Sequence, residues 1–183
     1  MVDETSIRDN SLPQVLLCDV LEHIENDRIF LELILKKIIP GGKLLITVPA
    51  FQSLWSSEDV ASGHYRRYTI EQVSELLEGC SHGEYEILYK NYFFGFLYLP
   101  VLIVRVVFEH IGLLKRVGDR SEEEFNKVLD KQYVNTNRFI EKVLSMVEKK
   151  EFNKIIKKRI RRGSSLFVIV KKQEGDVHDN KKG

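Results

Sequence analysis

The apolar positions of this chain change period several times, and each change marks an element. Gln14-Val15-Leu16-Leu17-Cys18 is an almost unbroken apolar run behind Pro13. That is the pattern of a strand covered on both faces, as in a parallel sheet. From Asn26 the spacing becomes helical, and Ile29, Phe30, Leu33, Ile34 and Ile38 form the expected buried stripe. Asn26 or Asp27 is placed to cap the first turn, and Lys36 and Lys37 suit the negative end of the helix dipole. Pro40-Gly41-Gly42 is expected to stop this helix. The run Leu-Leu-Ile-Thr-Val between Lys43 and Pro49 is a second buried strand. Strand, helix and strand at this spacing make a βαβ unit with parallel strands and a right-handed crossover.

A polar loop covers Ala50 to Tyr68, and a capping box, Thr69-Ile70-Glu71-Gln72, opens the next helix. That helix carries Ile70, Val73, Leu76 and Leu77 on one face and ends near Gly79; Tyr85 to Tyr89 reads as a third strand. Further on, Tyr92 to Leu114 has a helical pattern kinked at Pro100, and Glu122 to Lys150 is charged with apolar residues at near-helical intervals. Phe152 to Arg162 is a short basic helix, Ser164 to Val170 a final strand, and Gln173 to Gly183 a loose tail.

Composition narrows the class. The chain has 183 residues, enough for one domain with a sizeable core, and 43% of them are hydrophobic. With 30% charged residues and a net charge of +1, it is neither a disordered chain nor a globally basic one. Nucleic acid is therefore not an expected partner. Cys18 and Cys80 sit in apolar sequence and read as buried thiols, so neither a disulfide nor a metal site is assigned. Met1 to Ser11 is polar and lacks the apolar core of a secretory signal. The uncharged stretch Tyr92 to Val104 falls short of the ~20 residues that span a bilayer. The expected location is cytoplasmic, with peripheral membrane contact left open.

Three segments resemble one family. Asp19-Val20-Leu21-Glu22-His23, the Pro40-Gly41-Gly42 turn into Lys43-Leu44-Leu45-Ile46, and Gly63-His64-Tyr65-Arg66-Arg67-Tyr68 are similar to the C-terminal half of class I S-adenosylmethionine-dependent methyltransferases. The stretch from Pro49 to Tyr68, and Gly163-Ser164-Ser165-Leu166 after it, resemble the "type 11" subgroup. The resemblance implies an α/β fold: a partial Rossmann-like sheet, mostly parallel with its last strand antiparallel, and a helical insertion before that strand. It divides the chain into a polar segment 1–11, the second half of a methyltransferase core 12–91, the insertion 92–162, the final core strand 163–172 and a flexible tail 173–183. The implied cofactor is S-adenosylmethionine, and the implied reaction is methyl transfer to a small-molecule or lipid-linked acceptor.

In that family the cofactor is held mainly by a glycine-rich turn after the first strand and an acidic residue after the second. This sequence has no glycine before Gly41, so it offers at best half of such a site. The expectation is a fragment of a longer reading frame, or half of a two-chain assembly, with a companion chain or a second copy covering the bare sheet edge. Folding of the Tyr92 to Leu114 helix over that face is the alternative. A non-catalytic remnant or partner subunit is the competing function.

Ligands of open α/β sheets gather at the carboxyl ends of the strands. The resemblance therefore makes Asp19, Val20, Leu21, Glu22 and His23 the candidate cofactor-binding residues. His23 is also the candidate base, because imidazoles in general titrate near working pH. Trp55, His64, Arg66, Arg67 and Tyr68 are the candidate substrate wall, two arginines and a histidine being suited to a carboxylate or phosphate. The local alternative is that Tyr68 staples onto Val73 while one arginine pairs with Glu58 or Asp59 to order the loop. Finally, Lys149, Lys150, Lys154, Lys157, Lys158, Arg159, Arg161 and Arg162 surround Phe152, Ile155, Ile156 and Ile160. Such a basic amphipathic helix can rest on an anionic membrane or simply be the solvated face of a packed element.

Overall fold

The computed structural model describes residues 7–81, 83–103, 145–146, 149–153, 155 and 160–174. Four strands, β1 (Leu12–Cys18), β2 (Ile38–Pro49), β3 (Tyr85–Phe93) and β4 (Ser165–Lys172), form one sheet in the order β1-β2-β4-β3. β1 and β2 are parallel, while β4 runs antiparallel to both of its neighbours, β2 and β3. Three strands thus point one way and the last is reversed. The fold is the mixed α/β arrangement expected from the sequence.

Helix α1 (Asp27–Lys37) joins β1 to β2; the short α2 (Ser57–Ala61) and the longer α3 (Ile70–Ser81) lie between β2 and β3. α1 and α3 pack against each other on one face of the sheet. Beneath them lie Leu17, Leu44, Ile46, Val48, Leu166, Val168 and Val170, alternate residues of three strands that point to the same side. Fully burying each leucine, isoleucine or valine contributes about 1.5–3 kcal/mol. The capping box of α3 is present: the Thr69 N–H donates to Gln72 Oε1 at 2.8 Å, and the Gln72 N–H to Thr69 Oγ1 at 3.2 Å.

Several expectations change on contact with the structure. Among the described residues β1 is an edge strand covered on one face, so Leu16 is 67% exposed and Cys18, expected to be buried, is an exposed free thiol. Cys80 is buried. The buried stripe of α1 is Leu31 and Leu35 with Phe30 and Ile34 half-covered, whereas Ile29 and Leu33 are exposed. The apolar residues Ile29, Phe30, Leu31, Leu33, Ile34 and Leu35 spread over more than one face of the helix, so spacing alone does not choose the inner one. Asn26 makes no side-chain cap, and the Asp27 carboxylate instead serves Tyr68 and Arg66.

Pro40-Gly41-Gly42 does not end α1, which stops at Lys37. These residues form an irregularity inside β2, where Ile38 pairs with Leu12 but Lys43 already pairs with Gln14. Gly41 takes φ +78°, and a Cβ on Gly42 would lie 2.6 Å from Ile38 Cγ2 and 2.8 Å from the Ile39 carbonyl. α3 continues to Ser81, and β3 to Phe93, so Tyr92 and Phe93 belong to a strand and not to the expected helix. A single turn, Gly95–Leu97, and the short helix α4 (Tyr98–Val101) follow, with Pro100 tolerated in the first turn. Most of the expected insertion, including Glu122 to Leu144 and Lys154, Lys157, Lys158 and Arg159, lies outside the described residues; so does the tail beyond Glu174. No helix among the described residues is long and apolar enough to cross a membrane.

Candidate functional site

The three strands that point the same way release the chain at one end of the sheet, and each does so through a left-handed residue. Asp19 follows β1 at φ 53°, Phe51 lies just past β2 at φ 58°, and Phe94 follows β3 at φ 56°. For residues other than glycine such conformations cost of order 1–3 kcal/mol each, and they cluster where a loop must be aimed. Asp19 is held by two bonds across to β2. Its N–H donates to the Thr47 carbonyl at 3.0 Å, and Thr47 Oγ1 donates to its carboxylate at 3.4 Å.

A single turn, Leu21–His23, comes next and divides its residues sharply. Leu21 is driven into the core, Val20 packs half-buried against it, Glu22 is only 1% exposed, and His23 faces solvent. The loop after β2 folds back over this turn. There α2 is opened by a second capping box, Ser56 with Asp59, which the sequence reading missed although Ser-Ser-Glu-Asp is an adequate signal. The Tyr65 N–H donates to the Glu22 carbonyl at 2.7 Å, and Ala50 bridges to Tyr68, so the loop is closed at both ends. His64 thereby meets His23 edge to face, ring centroids 4.6 Å apart.

Asp19, Glu22, His23, His64 and Arg67 line one cleft of about 370 Å³ together with Pro49, Leu97, Val101, Ser164 and Ser165. The last five were not singled out as site residues. Ser164 and Ser165 arrive from the far end of the sequence, where Gly163 passes so close to the Phe93 carbonyl that any Cβ would collide with it. The Gly163-Ser164-Ser165-Leu166 motif marks the start of the final strand but not its approach to this cleft.

The floor of the cleft is electrostatically unusual. Burial pushes the Glu22 carboxyl up to about 7, and the nearby Asp19 and Asp59 charges add to the rise. Its Oε2 has no hydrogen-bond partner among the described residues. Burial acts on Asp59 as well, but the Arg67 guanidinium, His64 and the Ser56 N–H outweigh it and hold that carboxyl below the usual carboxylate value. Arg67 Nε and His64 Nδ1 both reach Asp59 Oδ1 at 2.8 Å, and Arg67 also donates to the Ala50 carbonyl.

The remaining candidates lie elsewhere. Arg66 points away from Arg67, as consecutive residues of an extended segment do, and pairs with Asp27 at 2.7 Å. The Tyr68 hydroxyl donates to Asp27 at 2.8 Å and lies 3.2 Å from the Leu21 carbonyl. Both line a second cleft of about 470 Å³ with Asp27, Gln52 and Gln72. Trp55 is half-buried and lines neither of these two. The residues as placed can present a carboxylate and two imidazoles to one ligand, while both arginines are engaged by carboxylates of the chain.

Comparison with known proteins adds the following. No family model and no curated protein matches the sequence. Among solved structures, the chain is similar to a SAM-dependent methyltransferase from Archaeoglobus fulgidus, at 16% identity and TM-score 0.47 over 92% of this chain and 63% of that one. It is similar to phosphoethanolamine N-methyltransferase 2 of Haemonchus contortus, in complex with S-adenosyl-L-methionine, at 19% identity and TM-score 0.47 over 93% of this chain and 36% of that one. It is also similar to the [4+2]-cyclase SpnF, at 17% identity and TM-score 0.48 over 95% of this chain and 55% of that one. The chain therefore spans between about a third and just under two thirds of the length of these proteins. The chain's own topology is a mixed α/β sheet in the order β1-β2-β4-β3, three strands alike and the last reversed.

Proposed function

We propose that this chain carries part of the site of an S-adenosylmethionine-dependent methyl transfer to a small or lipid-linked acceptor. The observation that carries the reading is the meeting of two sequence motifs at one place. Asp19-Val20-Leu21-Glu22-His23 and Gly63-His64-Tyr65-Arg66-Arg67-Tyr68 are joined across the carboxyl ends of β1 and β2, with Asp19, Glu22, His23 and His64 around a common cleft. Methyl transfer is an in-line displacement, so such a site must chiefly align and desolvate its reactants. In this reading Asp19 and the Glu22 turn contact the cofactor, and His23, exposed at the mouth, is placed to take a proton from the acceptor. Asp59, Arg67 and Tyr68 position the loop. Residues 1–40 hold no glycine, so the remainder of a cofactor pocket is not supplied by a glycine-rich turn of this segment.

Amide hydrogen exchange tests the location. Added S-adenosylhomocysteine is expected to slow exchange in residues 19–24 and 63–68. Protection confined to other segments would place the cofactor elsewhere and overturn the assignment.

A second reading is favoured by a separate observation. β1 is an edge strand whose Leu16 side chain is 67% exposed, and such edges invite another strand. In this reading the chain pairs with a companion chain or a second copy along β1. Light scattering that finds only monomers at high concentration speaks against self-association.

A further inference from the structure

Three side chains of the cleft stand in a relation that alignment of a methyl donor does not call for. One ligand atom from each of Glu22, His23 and His64, a carboxylate oxygen and two imidazole nitrogens, lies within 4.8 Å of the other two. Glu22 is 1% exposed, and its Oε2 has no hydrogen-bond donor among the described residues. A buried carboxylate oxygen left in that state is costly, and the two imidazole rings beside it carry ligand nitrogens at the same point. We propose that Glu22, His23 and His64 form a binding site for a first-row divalent cation of the zinc class.

The detailed geometry supports this beyond proximity. The Asp59 carboxylate engages His64 Nδ1 at 2.8 Å; a carboxylate only accepts, so Nδ1 is the donating nitrogen and Nε2 is the one that faces a ligand. A carboxylate behind a ligating histidine is the arrangement that orients imidazoles at metal centres. Asp59 is itself locked by Arg67 and the Ser56 N–H, so the histidine behind which it stands is held at both removes. Ligands about 2.0–2.2 Å from a zinc-class ion lie about 3–3.6 Å from one another, so the trio must close by roughly 1 Å. His23 is exposed and free to make that rotation. Two imidazoles and one carboxylate suit zinc, cobalt, nickel or ferrous iron better than calcium or magnesium. The cleft side of the trio is open, which leaves a coordination position for water or an oxygen-bearing ligand.

The test uses the full chain, stripped with a chelator and without any S-adenosyl compound, so its outcome is independent of the methyl-transfer reading. Zinc is titrated calorimetrically near neutral pH, and cobalt is followed by its visible absorption. The expected result is one saturable equivalent per chain. Glu22→Gln and His64→Ala should each weaken binding at least tenfold, and Asp59→Asn, a positioning change, by about 10–100-fold. His178→Ala in the tail should leave it unchanged. Melting curves establish that each variant is folded, and Glu22→Gln keeps the length and shape of the side chain. No saturable binding, or zinc binding indifferent to both Glu22→Gln and His64→Ala, overturns the site.

Discussion

Arg67→Ala should be the most damaging single substitution in the loop over the cleft. The Arg67 and Asp59 side chains are 3% and 1% exposed and meet at 2.8 Å. Removing the guanidinium strands a buried carboxylate, a change that costs about 3–5 kcal/mol. The Ser56 N–H and His64 Nδ1 still reach that carboxylate, so the lower end, about 3 kcal/mol, is expected here. The pH dependence has a definite sign. Burial would raise the Asp59 carboxyl, and Arg67 first among its partners brings it below its ordinary value. The stability that Asp59 contributes is therefore present above the unfolded carboxylate value and lost as pH falls through the lower folded one. Without Arg67 burial prevails, the carboxyl rises, and the variant takes up a proton on acidification. The gap between wild type and Arg67→Ala should be widest at neutral pH and narrow towards pH of about 4. Urea unfolding followed by the fluorescence of Trp55, the single tryptophan and a resident of the same loop, measures it in chelator-treated protein. A loss of less than about 1 kcal/mol at neutral pH, the range of an exposed pair, refutes the reasoning. So does a loss that does not change with pH.

Three smaller predictions accompany it. Gly42→Ala should lower stability by about 1–3 kcal/mol, because its Cβ meets Ile38 and Ile39 inside van der Waals distance; an unchanged melting temperature contradicts this. In chelator-treated protein, Glu22→Gln should raise stability above pH 7, where the wild-type carboxylate is charged and buried, and have no effect below its unfolded value near 4.5. The shift from there to about 7 sets an upper bound, which hydration from the open cleft reduces to about 1–2 kcal/mol; equal effects at both pH values count against it. Tyr68→Phe should cost about 1 kcal/mol by leaving Asp27 and the Leu21 carbonyl one donor short, and a denaturation midpoint equal to wild type argues otherwise.

What could be read from the sequence depended on how local each signal is. The strands around Leu17 and Ile46, the Thr69 capping box and the final strand are written in consecutive residues, and the structure places them accordingly. The pattern identifies α1 as a helix but only part of its inner face: Phe30 and Ile34 pack against the core as expected, while Leu31 and Leu35 take the places expected for Ile29 and Leu33, because all of them satisfy an apolar pattern and only contact with α3 selects among them. The apolar neighbours of Cys18 predict a buried thiol, whereas its exposure follows from β1 lying at the edge of the sheet among the described residues. Pro40-Gly41-Gly42 is a breaker in any reading, but its place inside β2 depends on pairing with β1. At the cleft, the sequence allows an arginine to pair with Glu58 or Asp59, and Arg67 pairs with Asp59. The juxtaposition of His64 with Glu22 and His23 was not legible, since it depends on one backbone bond from Tyr65 to Glu22.

We propose that this cleft is part of a cofactor site. Calorimetric titration of the folded, chelator-treated chain with S-adenosylhomocysteine tests it most directly. Saturable binding that is lost in His23→Ala and in Asp19→Ala, with both variants folded, is the predicted result. Absence of any heat from folded protein, or binding that both substitutions leave intact, would contradict the claim and bring the companion-chain reading forward.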